Sequence, residues 1–290
     1  MRRSLAILGL ALILIACAPA VGTVDSAATT ATTIPPTTAP ESTTAGPGDV
    51  PSTTTTTVPL IDPVSFSQAM RDLWTDHVAW TRLFIVSAVA GLPDTEATAG
   101  RLLQNQSNIG DAVASFYGEE AGEGLTALLR DHILIAADLV TAAKAGDQEA
   151  VGASSTAWYA NADEISAFLA GANPAWPEET LREMMHGHLD QTLAEATAQL
   201  TGDYAQSVAE YDHIVTHILE MADTLTDGII AQFPDRFSAP TLAEQEAALS
   251  QAMRDLWTDH VAWTRLFIVS AVAGLPDTEA TAGRLLQNQS

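Results

Sequence analysis

The chain has 290 residues, 47% of them hydrophobic, with 36 acidic residues against 12 Lys and Arg and a formal net charge of -24. That length suits one or two domains with a real core, and the negative charge argues against nucleic acid as a partner, because binding it needs clustered cations that displace counterions from phosphates. Cys17 is the only cysteine, which excludes an intrachain disulfide, a thiolate metal site and a cysteine nucleophile in the folded part.

Arg2 and Arg3 precede an apolar run from Leu5 to Ala16, the charged and hydrophobic regions of an export signal that is too short to span a bilayer as a stable helix. The run closes on Leu14-Ile15-Ala16-Cys17, which resembles the lipobox of bacterial lipoproteins. Residues 1–16 are therefore expected to be removed as a signal peptide. Cys17 would then be acylated and hold the protein by a lipid anchor at the outer face of the cytoplasmic membrane or in the cell envelope. Loss of the two early arginines takes the charge to -26, which serves solubility and self-repulsion at a surface. From Cys17 to residue 60 the composition is Thr, Pro, Ala, Ser and Gly with few large apolar side chains. It cannot bury enough surface to offset the entropy of ordering, so it is expected to be a disordered stalk.

The remainder reads as all-α. Six helices are expected over about 64–90, 95–117, 119–145, 148–170, 177–200 and 204–233, separated by Gly91-Leu92-Pro93, Gly118, Gly146, Gly171-Ala172-Asn173-Pro174 and Gly202, with Asp94 or Thr95, Asp147 and Asp203 as candidate caps. Short links favour antiparallel neighbours and an up-and-down bundle over residues 61–236. After a linker over 237–249, Ser250–Ser290 repeats Ser67–Ser107 without a change, 183 residues later. The copy is expected to be the start of a second domain, or a helix able to replace the first one in a domain-swapped oligomer.

A helix turns about 100° per residue, which assigns each side chain to the interior or to water. His77 falls in the middle of the first helix's apolar stripe, among Met70, Leu73, Trp74, Thr81, Phe84 and Ala88. His132 is at the centre of the third helix's stripe. His188 lies near the edge of the fifth helix's stripe with Glu195 two turns on, and His217 lies at the margin of the sixth helix's stripe. Four helices each offering a histidine suit a metal or haem site, since facing helices converge side chains on one point. His77, His132, His188 and His217, with Glu195, are the candidate ligands; nitrogen and oxygen donors without thiolate suit zinc, copper(II) or iron. Asp76, Asp131 and Asn161 are candidate supporting partners, and Asn105 and Gln106 also point inward. Glu183-x-x-His186 and Glu210-x-x-His213 match the spacing of di-metal bundles, but the first pair faces away from the apolar stripe and the second has no matching carboxylates on two further helices.

The stretches Asp76-His77 to Trp80-Thr81-Arg82, Leu102-Leu103-Gln104-Asn105-Gln106, Asp131-His132-Ile133 and Trp158-Tyr159-Ala160-Asn161-Ala162-Asp163-Glu164 resemble an uncharacterised family of bacterial secreted helical-bundle proteins. The resemblance covers about residues 66–237 and implies the domain limits and the four histidines rather than a mechanism. A likeness to ferritin-like bundles is one of fold only. No phosphate-binding Gly-rich loop, Gly-x-Ser-x-Gly elbow or His-Glu-x-x-His pair occurs. A binding protein is therefore expected rather than an enzyme, with a surface interaction module lacking any cofactor as the alternative.

Overall fold

The computed structural model describes residues 59–289. The expected signal peptide, the expected acylation site Cys17 and the expected stalk, up to residue 58, lie outside them. Six helices form the bundle: α1 (Pro63–Ala90), α2 (Thr95–Tyr117), α3 (Glu119–Ala145), α4 (Gln148–Ala172), α5 (Glu178–Thr201) and α6 (Tyr204–Gln232). A short 3-10 turn, Pro234–Arg236, leads out of α6; the expected linker over 237–249 is helical from Glu244, where α7 (Glu244–Ala273) starts ahead of the repeated sequence, and α8 (Thr278–Gln287) follows. The fold is all-α, as the sequence implies.

Each helix packs on the next, and α6 returns to α1, so the six close into an up-and-down ring; α1 also reaches α3 and α5 across the interior. Glycines with positive φ, Gly91, Gly146 and Gly202, end α1, α3 and α5, where an L side chain would clash with the following carbonyl. Asp62, Asp147 and Asp203 cap α1, α4 and α6 by accepting from Ser65, Ala150 and Gln206 backbone N–H groups. Asp94 does not cap α2: its carboxylate accepts from Ser87 Oγ at 2.7 Å instead. The two ends of the bundle are tied together where Ile61 N–H donates to Arg236 O and Ser238 N–H donates to Ile61 O, both at 2.9 Å.

The core runs through the ring, with Trp74, Val78, Ile109, Leu129, Ile165, Leu189, Ile218 and Ile229 all buried. Near one end Trp176, 2% exposed, lies against α6 at Gly228 and donates from Nε1 to Thr224 O at 3.3 Å. A Cβ at position 228 would stand 1.9 Å from that Nε1. Helix propensity alone would make Gly228→Ala stabilising by about 0.8–1 kcal/mol, whereas overpacking costs about 1–3 kcal/mol. Gly228→Ala is therefore expected to lower the thermal midpoint, and a raised midpoint would show that Trp176 moves aside freely.

Among the described residues no helix is long and apolar enough to cross a membrane.

Candidate functional site

Three of the four expected histidines meet inside the bundle. His77 of α1, His132 of α3 and His188 of α5 are 3%, 2% and 3% exposed. These three helices run the same way and alternate around the ring, so residues at one height form a layer. The ring centre of His188 lies 5.7 Å from that of His77 and 6.4 Å from that of His132. Trp74 stands edge-on to His77, and Trp158 is tilted against His132.

The proton positions follow from the neighbours. Asn161 Nδ2 donates to Leu128 O at 3.1 Å, which turns its amide oxygen toward His132; His132 Nδ1 then donates to Asn161 Oδ1 at 2.9 Å. Nε2 of His132 is left with its lone pair, the arrangement by which supporting residues prepare a metal-binding imidazole. Gln106 Nε2 donates to Leu102 O at 2.8 Å and contacts His77 Nδ1 at 3.2 Å. His77 therefore accepts at Nδ1 and carries its proton on Nε2. His188 Nδ1 is buried with no hydrogen-bond partner, an omission that costs about 1–3 kcal/mol.

Burial keeps all three rings neutral. It pushes His77 down to about 3, helped by neighbouring His132, and His132 down to about 4, each opposed by its hydrogen bond to Gln106 or Asn161. His188 is held well below the usual histidine value by burial first and then by the other histidines.

The other expected residues lie elsewhere. His217 is half-buried and donates from Nε2 to Met184 O at 2.7 Å, which commits that nitrogen to the backbone. Glu195 is 1% exposed, but its partner is a cation: Arg82 Nη1 donates to Glu195 Oε1 at 2.8 Å. The same nitrogen reaches Ser207 O and Oγ, both at 3.1 Å, and Ser207 Oγ donates to Gln199 Oε1 at 2.9 Å. Asp76 accepts from Trp80 Nε1 and pairs with Arg101 on the flank, and Asp131 is exposed. Neither aspartate supports a histidine; Gln106 and Asn161, both amides, do.

One turn beyond the histidines, at Thr81, Ala136 and Thr192, an apolar cavity of about 120 Å³ opens toward Phe84, Leu139 and Ala196. Among the described residues no three His, Cys, Asp or Glu side chains have their ligating atoms already gathered around one point. With metal–nitrogen bonds of about 2.0–2.1 Å, two imidazole centres on one tetrahedral ion would lie roughly 5 Å apart, closer than the 5.7 Å and 6.4 Å separations of His188 from His77 and His132, so the rings would have to draw together to share an ion.

Comparison of the chain with protein-family models, curated proteins and solved structures finds no match. What the fold and the site define is an all-α six-helix bundle with a layer of three buried histidines.

Proposed function

We propose that the protein is an envelope lipoprotein whose bundle binds one transition-metal ion in the layer of His77, His132 and His188. The observation that carries this reading is the paired state of the layer: His132 presents a lone pair fixed by Asn161, while His188 keeps a buried nitrogen with no partner. Neutral imidazoles need lose no proton from a charged form to bind, so affinity persists below neutral pH. Three nitrogen donors suit zinc or copper(II). Haem is disfavoured, since the adjoining cavity of about 120 Å³ is small beside the ~300–1,000 Å³ typical of sites for larger ligands. Binding requires the His77 and His188 rings to rotate toward His132, giving up the contact between His77 and Gln106. Anchoring through Cys17 belongs to the same reading and is supported by the lipobox resemblance.

The test is zinc and copper titration of the full chain, purified without chelator or histidine tag, followed by calorimetry and elemental analysis. One ion per chain is expected, with His132→Leu abolishing binding and Asn161→Leu weakening it by about 10–100-fold. Chain that takes up neither metal overturns the proposal. It would favour the second reading, a surface interaction module in which Gln106 and Asn161 serve only to satisfy buried rings and fix helix register.

A further inference from the structure

The repeated helix α7 does not dock as α1 does. In α1 the inward stripe Met70, Trp74, Val78 and Ile85 is buried, whereas its copies Met253, Trp257, Val261 and Ile268 are all exposed; Trp74 is 4% exposed and Trp257 61%. What α7 buries is Trp263, Leu266 and Ser270, the copies of Trp80, Leu83 and Ser87 from the other side of the helix.

The contacts across α1 and α7 come in exchanged pairs. Arg71 bonds Asp255 at 3.2 Å, and Arg254 bonds Asp72 at 3.3 Å; Arg254 and Asp255 are the copies of Arg71 and Asp72. The Arg82 guanidinium lies over the Trp263 ring at 5.2 Å, and Arg265 lies over the Trp80 ring at 4.9 Å; Trp263 and Arg265 are the copies of Trp80 and Arg82. Residue numbers rise together along both helices, so α1 and α7 are parallel and in register. Contacts in which i meets j and j meets i are the mark of a two-fold axis between identical surfaces.

The same relation extends to the neighbouring helices. Arg284 of α8, the copy of Arg101, pairs with Asp212 of α6 at 2.7 Å and stacks on Trp263, which meets Tyr211 of α6 edge-on. Arg101 stacks on Trp80 in the same way, but its Nη1 is buried with no partner. Between α1 and α7 lies a groove of about 910 Å³ lined by Trp80, Arg101, Arg254, Trp257, Val261 and Arg265, with others. Two of the α7 residues in it, Arg254 and Arg265, are copies of Arg71 and Arg82, which bond Asp223 and Ser207 of α6, so the groove is where α6 of a second bundle would lie, with its Asp212 facing Arg101.

We propose that the outer face of α1, with the flanks of α2 and α6, is a homotypic docking surface whose partner is a second complete copy of this bundle, packed two-fold with the α1 helices parallel. The α7–α8 hairpin occupies this surface as the first two helices of such a copy.

Two measurements on the full chain with Cys17→Ser test this. First, a short bis-maleimide is applied to chains carrying Gln68→Cys with Ser250→Cys, whose native side chains bond at 3.2 Å, or the reciprocal Ser67→Cys with Gln251→Cys. Both are expected to cross-link within one chain. Linkage in only one pair, or only between chains as a swapped helix would give, overturns the two-fold relation. Second, the hairpin is released by Arg254→Asp, Trp263→Ala and Leu266→Ala, which leaves the bundle face unchanged, in a chain carrying Ser67→Cys and Gln68→Cys. Sedimentation is expected to show a concentration-dependent dimer that the reagent links covalently through those cysteines. A monomer, or an assembly that does not link there, overturns the second copy as partner.

Discussion

Replacing Arg82 with methionine is expected to cost about 3–5 kcal/mol of stability, because it leaves a buried carboxylate without its cation. Arg82 and Glu195 are each 1% exposed and bonded at 2.8 Å, and the guanidinium is covered by Tyr211 at 5.1 Å and by Trp263 at 5.2 Å. Burial raises the carboxyl of Glu195 and the Arg82 charge opposes that rise. Without Arg82 nothing opposes it, and the glutamic acid folds protonated. A carboxyl whose folded value lies above its unfolded one contributes stability below the unfolded value and loses it as pH rises, so the deficit against wild type should be widest near neutrality and narrow toward pH 4.5. Arg82→Met with Glu195→Leu replaces both charges by apolar volume and is expected to recover most of the loss. Urea unfolding of the three chains at pH 7.5 and pH 5 decides it; a cost under about 1 kcal/mol for Arg82→Met would mean that water reaches Glu195.

That pair also marks what face assignment on separate helices misses. Arg82 immediately precedes an apolar run, Leu83-Phe84-Ile85-Val86, and every residue from Arg82 to Ser87 is buried. A helix apolar all round is covered all round, so this run carried the sign that α1 is enclosed by both the ring and α7. Glu195 showed on its own helix only as an inward carboxylate; that a cation from α1 claims it depends on which helices are neighbours. His77 and His132 were legible because each lies at the centre of a single stripe. His188 seemed marginal on α5 alone and is in fact fully enclosed, since α5 touches α1 across the ring as well as its two neighbours. His217 lies half-buried, and its commitment to the Met184 carbonyl is a matter of one hydrogen bond that no helix face shows. The helix limits were the most legible part. Gly91, Gly118, Gly146 and Gly202 fall at helix ends, while α4 continues past Gly171 to Ala172 and stops where Asn173 turns extended.

Acid should unfold the bundle through its histidines before its carboxylates titrate. His77 and His132 are held at about 3 and about 4, and His188 well below normal, by burial in the folded state, against about 6.5 in the unfolded chain. Groups with depressed folded values contribute fully above the unfolded value and lose that contribution as pH falls toward the folded one, because only the unfolded chain takes up the proton. At pH 5 His77 and His132 then each favour unfolding by about 2 kcal/mol, roughly 4 kcal/mol together, with His188 acting in the same direction, a large share of the whole stability of many domains. Most of the 36 acidic residues remain charged at that pH, and their later protonation relieves self-repulsion, so between pH 6.5 and 5 the histidines dominate the slope, with Glu195 the buried carboxyl raised toward that window. Unfolding free energy measured in urea across that window should fall steeply. His132→Leu should flatten the slope by about 1.4 kcal/mol per pH unit at its acid end. Bound zinc should oppose the loss if the layer is the metal site, since an ion bound only to the folded state adds stability by mass action. A stability that is flat from pH 7 to 5, or that falls with the same slope in His132→Leu, would mean that protons reach the layer in the folded bundle, and that the rings are less enclosed than their burial implies.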